Sequence, residues 1–127
     1  MPPISTGRSY STLVPKVDAH GIDLAGIRLP ELQSGVGTYI GWNLLASAPK
    51  DECLAMGSFI PFARSKPERI AAGDPCPSLE ERYVAHGRYV EEVRAAAERL
   101  VTARLLLPED AVAYVAAAKQ REVALPE

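Results

Sequence analysis

Apolar positions follow two different rhythms along this 127-residue chain, and the change falls near residue 77. Beyond it, Tyr89, Val93, Ala96, Ala97, Leu100 and Val101 recur at the i, i+3, i+4 spacing of one buried helical stripe. Arg88, Glu91, Glu92, Arg94 and Glu98 fill the remaining faces, with Arg88 one helical turn before Glu92. Ser78-Leu79-Glu80-Glu81 has the form of a capping box, in which the serine hydroxyl accepts a helix amide and Glu81 reaches back to the cap amide. Pro108-Glu109-Asp110 opens another helix, with proline in its first turn and carboxylates at its positive end. That helix runs through Ala111, Val112, Val115 and Ala116 to Lys119 and Arg121. The pattern predicts a helical hairpin over residues 78–127, with the long helix starting at His86 and Leu105–Leu107 in the bend. Its expected core is Tyr89, Val93, Ala97, Leu100, Val101, Leu107, Val112 and Val115.

Residues 1–77 read differently. All but three of the chain's 9 glycines and 11 prolines lie there, and no window is left for a long helix. What fits between them is short and extended: Ser11–Val14, Leu24–Leu29 and Gly37–Gly41. In the second, Ile27 and Leu29 are expected on one face and Arg28 on the other. A second box, Ser65-Lys66-Pro67-Glu68, predicts a short helix that Gly73 closes. Ile27, Leu29, Ile40, Trp42, Leu44, Leu45, Phe59, Ile60 and Phe62 come in short runs that bury well only against an existing surface. The fold class is therefore mixed. It is mainly α in the C-terminal half, with loops and a few short strands before it, in a single segment over 1–127.

Length and composition narrow this further. A complete doubly wound core of eight strands and six helices needs about 180 residues, which exceeds this chain. The balance of 14 Lys+Arg against 16 Asp+Glu argues against a nucleic-acid or anionic-membrane partner. No stretch has the apolar core of a signal peptide or the length of a membrane span. The two cysteines, Cys53 and Cys76, belong to no spaced Cys/His set, so no structural zinc is expected. They read as two thiols, with a disulfide between them left open.

The search for chemistry returns little. None of the serines stands in a Gly-x-Ser-x-Gly elbow; Ser58 follows Gly57 but precedes Phe59 and Ile60. Gly35-Val36-Gly37-Thr38-Tyr39-Ile40-Gly41 lacks the third glycine of a dinucleotide loop and reads as a bend beside a strand. His20 and His86 are the only candidate bases. Asp18-Ala19-His20-Gly21-Ile22-Asp23 reads first as a tight turn and second as a calcium-type loop, in which His20 is a poor ligand for a hard cation. His86 opens the long helix with no nucleophile beside it. Glu80/Glu81 and Glu91/Glu92 diverge by about 100° around a helix and read as a solvated face. Trp42 reads as a buried anchor. No residue is assigned a catalytic, cofactor-binding or metal role.

Several strings carry a resemblance. Leu13-Val14-Pro15-Lys16-Val17-Asp18, Ala25-Gly26-Ile27-Arg28-Leu29-Pro30 and Thr38-Tyr39-x-Gly41-Trp42-Asn43 resemble the C-terminal portion of the bacterial alpha/beta hydrolase domain-containing proteins. The likeness continues through Gly57–Ala63, Glu68-Arg69, Gly73-Asp74-Pro75, Pro77–Tyr83 and Leu105–Ala111. It implies a piece of a longer, ester-cleaving serine hydrolase whose nucleophile and triad histidine lie upstream, so no triad residue is carried onto this chain. At the Asp18–Asp23 turn the family commonly reads Asp-x-Asp-Gly, and His20 departs from it; Cys76 stands where a basic residue is more usual. The resemblance implies a truncated or separately expressed tail, partial and short of a complete hydrolase core. Two functions follow: a non-catalytic segment that covers or buttresses a hydrolase, or an independent helical interaction module without chemistry. The expected partner is the remainder of the hydrolase, or a second copy joined through an exposed apolar patch.

Overall fold

A computed structural model describes residues 7–9, 11, 13, 15–41, 43–44, 53–54, 57–121 and 123, with the backbone alone at 43–44 and 53–54. The elements run α1 (Pro30–Gln33), β1 (Gly37–Ile40), β2 (Asn43–Leu44), β3 (Cys53–Leu54), β4 (Ser58–Pro61), α2 (Lys66–Ala72), α3 (Leu79–Tyr83), α4 (His86–Thr102) and α5 (Pro108–Gln120). Strand β1 pairs antiparallel with β4, Gly37 opposite Pro61 and Ile40 opposite Ser58, and β2 pairs antiparallel with β3. Gly37 is needed there, because a Cβ would strike the Ile60 carbonyl and the Phe59 ring.

The helix ends form as their sequences require. Ser78 accepts the Glu81 amide at 3.3 Å while its own amide donates to the Glu81 carboxylate at 2.9 Å, completing the box. At α2 the Glu68 amide donates to Ser65 at 3.4 Å, but the Glu68 carboxylate takes the Arg64 amide. Gly73 ends α2 at φ +65. The long helix α4 ends with Arg104 at φ +58; its amide donates to Val101 and the Leu105 amide to Leu100, the paired bonds of a Schellman cap. Leu105–Leu107 then turn the chain into α5, which packs along α4.

The core cluster is Phe62, Leu79, Tyr83, Tyr89, Val90, Val93 and Ala118, with Val36, Cys76, Tyr114, Val115 and Val123 against it. Of the residues expected inside, Tyr89, Val93, Ala97 and Leu100 are buried, and Val101 and Val115 are half-buried. Leu107 and Val112 are corrections, at 58% and 70% exposed. Leu107 is spent as the N-cap of α5. Val112 stands on the side of α5 that α4 leaves uncovered. Tyr83, wholly buried, was not expected to anchor the cluster, and neither was Phe62.

The piece Leu24–Leu29 is a second correction. It bends at Gly26 (φ +82), forms no strand, and leaves Ile27 and Leu29 exposed. The reason is Arg28, which turns inward to the Asp18 carboxylate at 2.7 Å and so reverses the expected faces. Of Ser11–Val14, Ser11 and Leu13 are exposed outside any strand, while Thr12 and Val14 lie outside the described residues. Trp42 and Leu45 lie outside them too, as does the Leu44 side chain. Helix α1, begun by Pro30, is a single turn too short for periodicity to reveal. Among the described residues no helix is long and apolar enough to cross a membrane.

Candidate functional site

The turn over Asp18–Asp23 holds itself together. Asp18 accepts the amides of His20 at 2.8 Å and Ile22 at 3.1 Å, its carbonyl takes the Gly21 amide at 3.1 Å, and Val17 bridges to Asp23. Gly21, at φ +72, supplies the left-handed residue. Burial pushes the Asp18 carboxyl up, but the two amides and the Arg28 guanidinium outweigh it and hold it below the ordinary range. With its oxygens engaged and Asp23 exposed, the loop works as a turn. Among the described residues no group of three His, Cys, Asp or Glu side chains stands close enough to hold a metal ion.

This turn lays His20 against the core. The imidazole meets the Phe62 ring edge-on at 5.9 Å, and the Arg82 guanidinium lies 5.0 Å from the centre of the same ring. Thr38 donates from its hydroxyl to the His20 carbonyl. His20 Nδ1 is buried without a hydrogen-bond partner. Desolvation, then the charge of Arg82, press the His20 pKa below its ordinary value, so the ring is neutral near pH 7. Cys76, a free thiol, lies against the core cluster. Burial, with Asp74 adding to it, pushes that thiol up, which makes it a weak nucleophile. The cluster is a packed junction in which the histidine is held neutral. Arg28, Thr38 and Arg82 were missed in sequence because their partners lie many residues away and no local spacing marks them.

The remaining candidates are dispersed. Ser58 opens β4 opposite Ile40, on a strand ladder and not on a strand-to-helix elbow. Gly35 and Gly37 flank the start of β1, the expected bend beside a strand. His86 starts α4, 6.1 Å from the Tyr89 ring. Glu91 and Glu92 face solvent and pair with Arg88 at 3.7 and 3.2 Å. Glu81 is exposed and Glu80 half-buried, and both also bond to other parts of the chain. Glu80 accepts the Lys66 amide at 3.1 Å at the start of α2, and Glu81 adds a two-pronged pair with Arg69 at 2.8 and 3.1 Å. These contacts, Arg69 first and the Ser78 amide next, lower the Glu81 pKa to about 2.

One concavity among the described residues is mainly apolar. It lies between α4 and α5, about 550 Å³ in volume, with Ala97, Val101, Ala111, Val112 and Val115 along it and Arg94, Glu98 and Lys119 at its rim. Val112 and the exposed Leu107 belong to this surface and its extension at the bend, which is why they escape the core.

A capped helical hairpin and two small antiparallel ribbons, with His20 packed against Phe62, make up part of a larger class of fold. Which class follows from comparison with known families: the alpha/beta hydrolase domain matches residues 1–116, and the chain belongs to that family. No curated protein and no solved structure matched it. Its described residues form helices and antiparallel pairs, part of such a domain and not a full core.

Proposed function

We propose that this segment covers or buttresses the catalytic part of an ester-cleaving serine hydrolase and itself contributes no triad residue. The observation that carries the reading is the apolar surface of the loops and ribbon before residue 62. Leu24, Ile27, Leu29, Phe59 and Ile60 are all exposed, in segments whose backbone is held by turns and short pairings. Scattered apolar side chains on a surface are ordinary, but with Leu13 and Val17 seven large ones lie exposed before residue 62, which suits a neighbouring domain. The placements of Ser58, His20 and His86 agree with a role without chemistry, since covalent hydrolysis needs nucleophile, base and oxyanion donors in one place.

The test is turnover of an activated short-chain ester by the purified chain. The expected result is no rate above a heat-killed control. Turnover that a serine-directed inhibitor abolishes overturns the reading. The coding sequence upstream of Met1 is a second check: an open frame carrying Gly-x-Ser-x-Gly supports a covering role, and a stop with its own ribosome site overturns it.

A further inference from the structure

A smaller cleft opens where the chain enters β1 and leaves β4, beside the start of α3 and the residues just past α5. Its walls are Val36, Phe59, Phe62, Leu79 and Val123, and its volume is about 260 Å³. Phe62 and Leu79 are buried, so the floor is part of the packed core, while Phe59 stands exposed at the rim. Backbone bonds hold that floor: the Phe62 amide donates to the Val36 carbonyl at 3.0 Å and the Leu79 amide to the Ala63 carbonyl at 2.9 Å. The charged part of the lining is Arg64 and Arg121, with no carboxylate. Both are exposed, and neither is in an ion pair among the described residues. Glu68, one turn on from Arg64, accepts its backbone amide, and Glu80 accepts that of Lys66. Contact with the Tyr89 hydroxyl, against the opposing effect of burial, pushes the Arg121 pKa up, and the Tyr39 hydroxyl adds to it. That guanidinium stays charged at every working pH.

An apolar floor bordered by two guanidinium groups without a counter-charge selects a ligand of two parts. The walls take an apolar body, by its removal from water. The guanidinium groups take an anionic head, above all a carboxylate, which each can hold through two parallel bonds. A cation is repelled, and an inorganic anion leaves the walls uncovered. The volume lies just under the roughly 300–1,000 Å³ of sites for drug-sized molecules, which sets a small ligand. We propose that this cleft binds a small monocarboxylate with an apolar body, of the size of hexanoate, its body on Phe62 and Leu79 and its carboxylate on Arg64 and Arg121. Such acids are what ester cleavage releases, but the proposal does not rest on the hydrolase reading, because this chain alone carries every residue involved.

Calorimetric titration of the chain with sodium hexanoate tests the proposal, with hexanamide and acetate as controls at matched ionic strength. Hexanoate is expected to bind with a Kd below about 1 mM, and about tenfold or more tighter than either control. Hexanamide keeps the body without the charge, and acetate the charge without the body. Arg64→Gln combined with Arg121→Gln is expected to weaken hexanoate about tenfold or more, with circular dichroism unchanged. Arg64→Gln alone, on an exposed residue, is expected to weaken it in part and decides the matter if the double variant fails to fold. Higher salt is expected to weaken it too. Absence of binding, equal binding of hexanamide, or an affinity indifferent to the arginine variants overturns the proposal. So does binding that appears only once residues 124–127 are removed, which gives the cleft to the chain's own end. The ester assay is separate from these titrations, so either reading can fail without the other.

Discussion

The hydroxyl of Tyr83 donates to the carbonyl of Gly35 at 2.9 Å, joining two buried residues 48 positions apart. It ties the end of α3 to the entry of β1. Burial pushes the Tyr83 pKa up, so the phenol keeps its proton over the working pH range. Arg99, reaching Gln33 at 2.8 Å, makes a second, exposed tie between α4 and α1.

Tyr83→Phe keeps the ring and removes only the donor. The Gly35 carbonyl then loses this partner inside the protein, at a cost of about 1–2 kcal/mol. Urea denaturation should show a lower midpoint with an unchanged slope. An unaltered midpoint refutes the importance of the tie.

Val84, between α3 and α4, has φ +32 and is 84% exposed. A β-branched residue is strained there, and its side chain gains little from burial to compensate. Val84→Gly should raise stability by about 1 kcal/mol, read as an increase in Tm. Arg104→Gly, at the left-handed position of the α4 cap, should act in the same direction.

Glu81 titrates at about 2 in the folded chain because Arg69 and the Ser78 cap favour its charged form. A folded pKa below the unfolded value of about 4.3 means that the contribution is complete above that value. It is lost as pH falls toward 2. An acid titration should show wild type losing stability over this window and Glu81→Gln losing less. Parallel curves contradict the assignment.

His20 shifts in the same direction, with the opposite change of charge. Its folded pKa lies below the ordinary value because the ring is desolvated and faces Arg82, while Asp18 opposes the shift. The unfolded chain therefore takes up a proton first, and stability should decline as pH falls below about 6.5. In His20→Gln that decline should flatten. Proton NMR of the His20 ring, followed against pH, gives the folded value directly; a value at or above the ordinary one refutes the packing argument.

What the sequence by itself determined lies within one helical turn of each signal. The Ser78 box, the Gly73 stop and the proline-led start of α5 are set by bonds between residues no more than about four apart. The side chains that make them are all in view. The buried stripe through Tyr89, Val93, Ala97 and Leu100 was legible for the same reason. The inward turn of Arg28 to Asp18, the seat of His20 against Phe62 and the use of Glu80 to cap α2 were decided by the tertiary structure. Each depends on a partner 10 or more residues away, chosen by which surfaces meet when the helices and ribbons pack. Periodicity told which residues of α5 are apolar. Only the position of α4 decided that Ala118 is covered and Val112 is not, because one helix can shield one side of another and no more.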